Sequence, residues 1–72
     1  MWSNKPWGAR LRELRLQKGL SQMELADKAE LTQSKISQLE GRFDPPSIKT
    51  LSKLSKALGV SLNQLLEVCD RS

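Results

Sequence analysis

The stretch Ser21-Gln22-Met23-Glu24-Leu25-Ala26-Asp27-Lys28-Ala29-Glu30-Leu31-Thr32-Gln33-Ser34-Lys35-Ile36-Ser37-Gln38-Leu39-Glu40 decides how this chain is read. It opens on a Ser with a Glu three residues later, the signature of a reciprocally capped helix start. Leu25, Ala26 and Ala29 then fall on one face of a helix over residues 22–29. Glu30-Leu31-Thr32 breaks that pattern, and Thr32 is a natural cap for a second helix over 33–40. Ile36 and Leu39 mark the inner side of the second helix. A small residue at Ala26 lets the two helices cross closely, and Leu31 in the turn can fix their angle. Two short helices joined by a three-residue turn make a helix-turn-helix.

The outer side of the second helix then presents Gln33, Ser34, Ser37 and Gln38, with Lys35 beside them. An ordinary solvated face more often carries Glu and Lys. Here Lys35 holds the only charge between residues 31 and 39. Amides can form paired hydrogen bonds with adenine in the major groove, and hydroxyls can serve several base edges. From residue types alone, Gln33, Ser34, Ser37 and Gln38 suit base readout and an ordinary polar surface equally.

Helices continue on both sides. Before the motif, Trp7, Leu11 and Leu14 form one apolar stripe over residues 6–18, with Pro6 in the first turn, Asn4 placed to cap it and Gly19 just past the end. After it, Gly41 to Pro46 is a loop, since Pro45-Pro46 forbids helix. Ser47 is placed to cap a fourth helix over 48–58, with Ile48, Leu51, Leu54 and Leu58 inward and Gly59 ending it. Ser61-Leu62-Asn63-Gln64 repeats the capping-box pattern and opens a last helix over 62–68, carrying Leu62, Leu65 and Leu66. No strand pattern or repeat is visible. The expected fold is all-α: five helices in a single domain over residues 1–72.

Composition agrees and excludes other classes. Seventy-two residues bury a small core and leave no room for a deep substrate cleft. There is no His, and Cys69 is the only Cys, so neither a cysteine-rich zinc site nor an internal disulfide is available. No nucleophile–base pair or glycine-rich phosphate loop appears, so no enzyme activity and no cofactor are expected. The net charge is +4, distributed as +4 over residues 1–20, −2 over 21–40 and +2 over 41–72. A small basic domain suggests an anionic partner, nucleic acid first and an acidic membrane surface second. The longest apolar run is far short of a membrane span, the N-terminus lacks a signal-peptide core, and a cytoplasmic protein is expected.

With these elements in place, the residues resemble a known family. Leu11-Arg12, Leu14-Arg15, Gly19-Leu20-Ser21-Gln22 and Leu25-Ala26 are similar to the Xre/Cro–C1-type helix-turn-helix domains found in lambdoid phage repressors. So are Ile36-Ser37-Gln38-Leu39-Glu40, Pro46-Ser47 and Ala57-Leu58-Gly59-Val60-Ser61-Leu62. The resemblance covers about residues 7–67, spread over all five expected helices. It implies a compact lambda-repressor-like fold and a transcriptional regulator, with repression the expected mode, that binds double-stranded DNA as a homodimer on a near-palindromic site. Gln33 and Gln38 match base-reading glutamines. Gln22 would meet a backbone phosphate at the start of its helix. Arg15 and Glu40 match a structural salt bridge. Lys35, Arg42 and Arg10 are candidates for phosphate contact, with a solvated basic surface as the plainer reading of Arg10.

The resemblance also implies a dimer surface around the fifth helix, with Val60, Leu62, Leu65 and Leu66 as candidates. A phage or mobile-element repressor, a restriction–modification controller and an antitoxin all fit it, and a protein-interaction module on the same fold is the alternative. No further sensing segment is expected. Two departures stand out: Glu30 occupies a turn position usually held by Gly, and Gly41 comes one position early in the loop. Phe43 either tucks onto the core or marks a contact surface. Trp7 is expected in the core, and Trp2 has no clear place.

Overall fold

The structure, a computed structural model, describes residues 6–66. The expectations for Trp2, Asn4 and Cys69, and for the helix beyond residue 66, lie outside the described residues. Within them the chain forms α1 (Trp7–Gln17), α2 (Gln22–Ala29), α3 (Gln33–Glu40), α4 (Ile48–Leu58) and α5 (Leu62–Leu66), with no strand. Helices α1 and α4 lie against the α2–α3 pair, and α5 closes the far side against α1 and α4.

The apolar stripes meet in one core of Trp7, Leu11, Leu14, Leu25, Ala26, Ala29, Ile36, Leu39, Leu51, Leu54, Leu58 and Leu65. Trp7 is fully buried, and its indole N–H donates to the Leu65 carbonyl at 2.8 Å. That bond satisfies the one polar atom of the ring and pins α5 to the start of α1.

Helix termini follow local chemistry. Ser21 Oγ accepts from the Glu24 amide at 3.0 Å while Glu24 Oε1 accepts from the Ser21 amide at 2.8 Å. Ser61 and Gln64 repeat the exchange at the start of α5. The ends of α1, α2 and α4 share one geometry: the amides of Leu20, Leu31 and Val60 reach back to the carbonyls of Arg15, Ala26 and Ser55. Each needs a left-handed residue just before it. Gly19 and Gly59 supply it with φ of 70°, and Glu30 supplies it with φ of 59°.

Four expectations need correction. Pro6 is not in the first turn of α1. It is the extended residue before it, and loop carbonyls rather than a side chain meet the helix start. Ser47 sits at the N-cap of α4 but its side chain caps no amide there; its hydroxyl lies 3.4 Å from that of Thr50. Ile48 is exposed rather than inward. It keeps the period of Leu51 and Leu54, but it is the first residue of α4, and the buried face begins at Leu51. Leu65 cannot be a surface for pairing, because it is fully buried beside Trp7.

Candidate nucleic-acid interface

Helix α3 is the centre of the candidate site. Thr32 Oγ1 accepts from the Lys35 amide at 3.1 Å and so caps its first turn. Gln33 and Ser34 occupy that turn, where helix N–H groups lack partners within the helix. Ser37 and Gln38 follow four residues later, so the pairs Gln33–Ser37 and Ser34–Gln38 line up along one stripe. All four are exposed, as is Lys35, while Ile36 and Leu39 are buried behind them. A polar stripe on a helix whose back is locked into the core is a rigid surface that can read a partner.

Helix α2 holds α3 from behind. Its inner residues Leu25, Ala26 and Ala29 are buried, and Leu31 in the turn packs against the same core. Glu30 at φ of 59° makes the sharp corner between the helices.

A second clamp acts at the other end of α3. Arg15, on α1, places Nε 2.6 Å from Glu40 Oε2 and Nη2 3.2 Å from Glu40 Oε1. This is the two-pronged geometry that favours arginine over lysine. Arg15 Nη1 also donates to the Leu20 carbonyl at 2.9 Å. Both partners are largely shielded from water, with side-chain exposures of 10% and 7%. Glu40 accepts a further bond, at 3.1 Å, from the side-chain amide of Gln22.

The start of α1 abuts the end of α3. The Trp7 and Gly8 amides donate to the carbonyls of Phe43 and Arg42, both at 2.9 Å. Two of the unpaired donors at the start of α1 are thereby satisfied. The approach is so close that a Cβ on Gly8 would overlap the Glu40 carbonyl and come within 2.7 Å of the Leu39 oxygen. Gly8 is not among the candidates marked by the sequence. Its only signal was a glycine inside a helix pattern, which costs stability unless something needs the space.

The remaining candidates divide. Gln22 is half-buried at the first position of α2, with its amide turned toward Glu40. Arg42 is exposed in the loop after α3, and its Nε donates to the Asp44 carbonyl at 3.1 Å. Arg10 is half-buried on α1, reaching the Gln64 carbonyl at 3.4 Å and Glu13 at 3.7 Å. Phe43 is 67% exposed, so its ring does not tuck onto the core. Around α5, Val60 and Leu62 are half-buried and Leu66 is exposed. Among the described residues no group of side chains has the make-up of a metal site, and no helix is long and apolar enough to cross a membrane.

A capped, outward-facing polar helix, crossed by a second helix and braced at both ends, defines a helix-turn-helix reading head. The chain belongs to the Cro/C1-type helix-turn-helix family, whose helix-turn-helix model matches residues 11–65. It is 47% identical over 57 residues to the HTH-type transcriptional regulator PuuR of Escherichia coli strain K12, a match that spans 79% of this chain and 31% of PuuR. The chain thus covers about a third of the length of that curated relative. Among solved structures it is similar to the restriction–modification controller protein C.AhdI of Aeromonas hydrophila. There the TM-score is 0.77 and the identity 39%, over 82% of this chain and 89% of that one. It is also similar to SinR, a master regulator for biofilm formation solved in complex with DNA. That match has a TM-score of 0.76 and 41% identity, over 83% of this chain and 97% of SinR.

Proposed function

We propose that this chain is a sequence-specific double-stranded DNA-binding transcriptional regulator that represses by occupying a near-palindromic operator as a homodimer. The observation that carries the reading is the exposed stripe Gln33, Ser34, Ser37 and Gln38 on a helix with a buried back. Such a helix fits the major groove with its first turn deepest. Gln33 and Gln38 read adenine edges through paired amide bonds, and the two serines serve neighbouring positions. Gln22, Lys35 and Arg42 meet backbone phosphates and set the register. Arg10 is left out of this set, because its guanidinium is already engaged with Gln64 and Glu13.

Kinship with PuuR, C.AhdI and the DNA-bound SinR supports the same reading. Val60, Leu62 and Leu66 form the pairing surface on this proposal. The place of action is the cytoplasm, at the chromosome.

Selection of bound duplexes from a random pool tests this directly. The expected product is a short A/T-containing half-site, repeated in inverted orientation at a spacing near one helical turn. Recovery of no enriched sequence, with binding unaffected by salt, would reject DNA as the partner and leave a protein-interaction module.

A further inference from the structure

The bond between Gln22 and Glu40 does more than brace the fold. A carboxylate can only accept hydrogen bonds, whereas an amide end is donor on one side and acceptor on the other. Glu40 Oε1, 3.1 Å from Gln22 Nε2, therefore decides which way that amide faces. Its nitrogen must turn to the carboxylate, which takes one N–H and leaves the second free. Arg15 fixes the carboxylate in turn, through both of its oxygens.

We propose that Glu40 is a positioning residue for DNA binding: with Arg15 behind it, it orients the Gln22 amide so that its second N–H is presented to a backbone phosphate. This rests on the DNA-binding reading above. The relay joins three helices, because Arg15 lies on α1, Gln22 opens α2 and Glu40 ends α3. Seating the last turn of the reading helix and aiming the phosphate donor are then one event. The arrangement also explains how a carboxylate can stand so near a phosphate path: Arg15 balances its charge, and both are largely shielded from water.

Simple electrostatics makes the opposite forecast. Removing a negative charge near DNA should strengthen binding, whereas loss of an aimed donor should weaken it. A double-mutant cycle of Gln22→Ala and Glu40→Gln, read as affinity for the selected duplex and for a random one, separates the two. Gln22→Ala is expected to weaken both duplexes about fivefold, the worth of one ordinary hydrogen bond, without changing the salt dependence. Glu40→Gln is expected to weaken both by a similar factor alone, and by little once Gln22 is gone. Equal losses from Glu40→Gln in the two backgrounds would overturn the relay.

An NMR measurement on the unaltered chain covers the case in which Glu40→Gln unfolds. One Gln22 side-chain amide proton should show a cross-peak to the Glu40 side chain and the other should shift when duplex is added. Absence of either signal overturns the proposal. If the unaltered chain binds neither duplex, the DNA-binding reading fails and the phosphate role with it, even where the cross-peak is present.

Discussion

At the residue scale, Gln33 and Gln38 differ from Lys35 and Arg42 in what their loss should change. The glutamines carry sequence information on the proposed reading, and the cations carry only attraction. Gln33→Ala or Gln38→Ala should cost about 1–3 kcal/mol on the best duplex and flatten preference at one base position. Equal losses on selected and random duplexes would remove that glutamine from the base-reading set. Lys35→Ala and Arg42→Ala should instead weaken all duplexes alike. Each should make the slope of log affinity against log salt shallower by about 0.9, the release of one counterion. A slope that does not move would return that cation to the solvated surface. Gly8 belongs to a third kind, since its role lies inside the fold. Gly8→Ala forces a methyl group into the carbonyls that end α3, and backbone cannot step aside as a flexible side chain could. A loss of about 1–3 kcal/mol in denaturant unfolding is expected. Unchanged stability would mean that α1 and α3 can separate freely.

At the scale of the elements, the helix boundaries were legible because they rest on local chemistry. Ser21 with Glu24, Ser61 with Gln64, and the glycines at 19 and 59 act within a few residues of themselves. The inner faces of α2 and α3 were equally legible from spacing alone. What could not be read was where one element ends against another. Ile48 has the right period but stays exposed, and Leu65 is fully buried, its carbonyl held by the Trp7 indole. The candidate site divides in the same way. The outer stripe of α3 follows from period and residue type, while the Gln22–Glu40 bond joins residues 18 apart and needs the crossing of the helices. The corner at Glu30 offers a test of the local rule. Its φ of 59° suits glycine better than glutamate. Glu30→Gly should stabilise the fold by about 1 kcal/mol, the left-handed penalty less the glycine's entropy. That is a rise of about 4–8 °C in the melting midpoint for a domain of this size. A lower midpoint would show that Glu30 makes a compensating contact.

For the whole molecule, the adjacent leucines of α5 separate folding from pairing. Leu65 is fully buried, and its carbonyl holds the Trp7 indole, whereas Leu66 is 41% exposed. Truncation of Leu65 to Ala should remove about 2–5 kcal/mol of stability whether or not the protein pairs. A charge at Leu66 should do the reverse, leaving the melting midpoint of the isolated chain nearly unchanged. If two copies meet through α5, Leu66→Glu buries two like charges across the two-fold axis, and sedimentation should report a monomer. A dimer gains on a two-half-site operator because its second contact is made from an already tethered copy, an advantage of about a hundredfold or more. Leu66→Glu should lose that factor on the full operator while binding a single half-site as before. Retention of the dimer by Leu66→Glu would move the pairing surface away from α5. Near the start of α1 stands another large exposed apolar side chain, that of Phe43, whose carbonyl already meets the Trp7 amide. Phe43→Glu would then be the variant expected to yield the monomer.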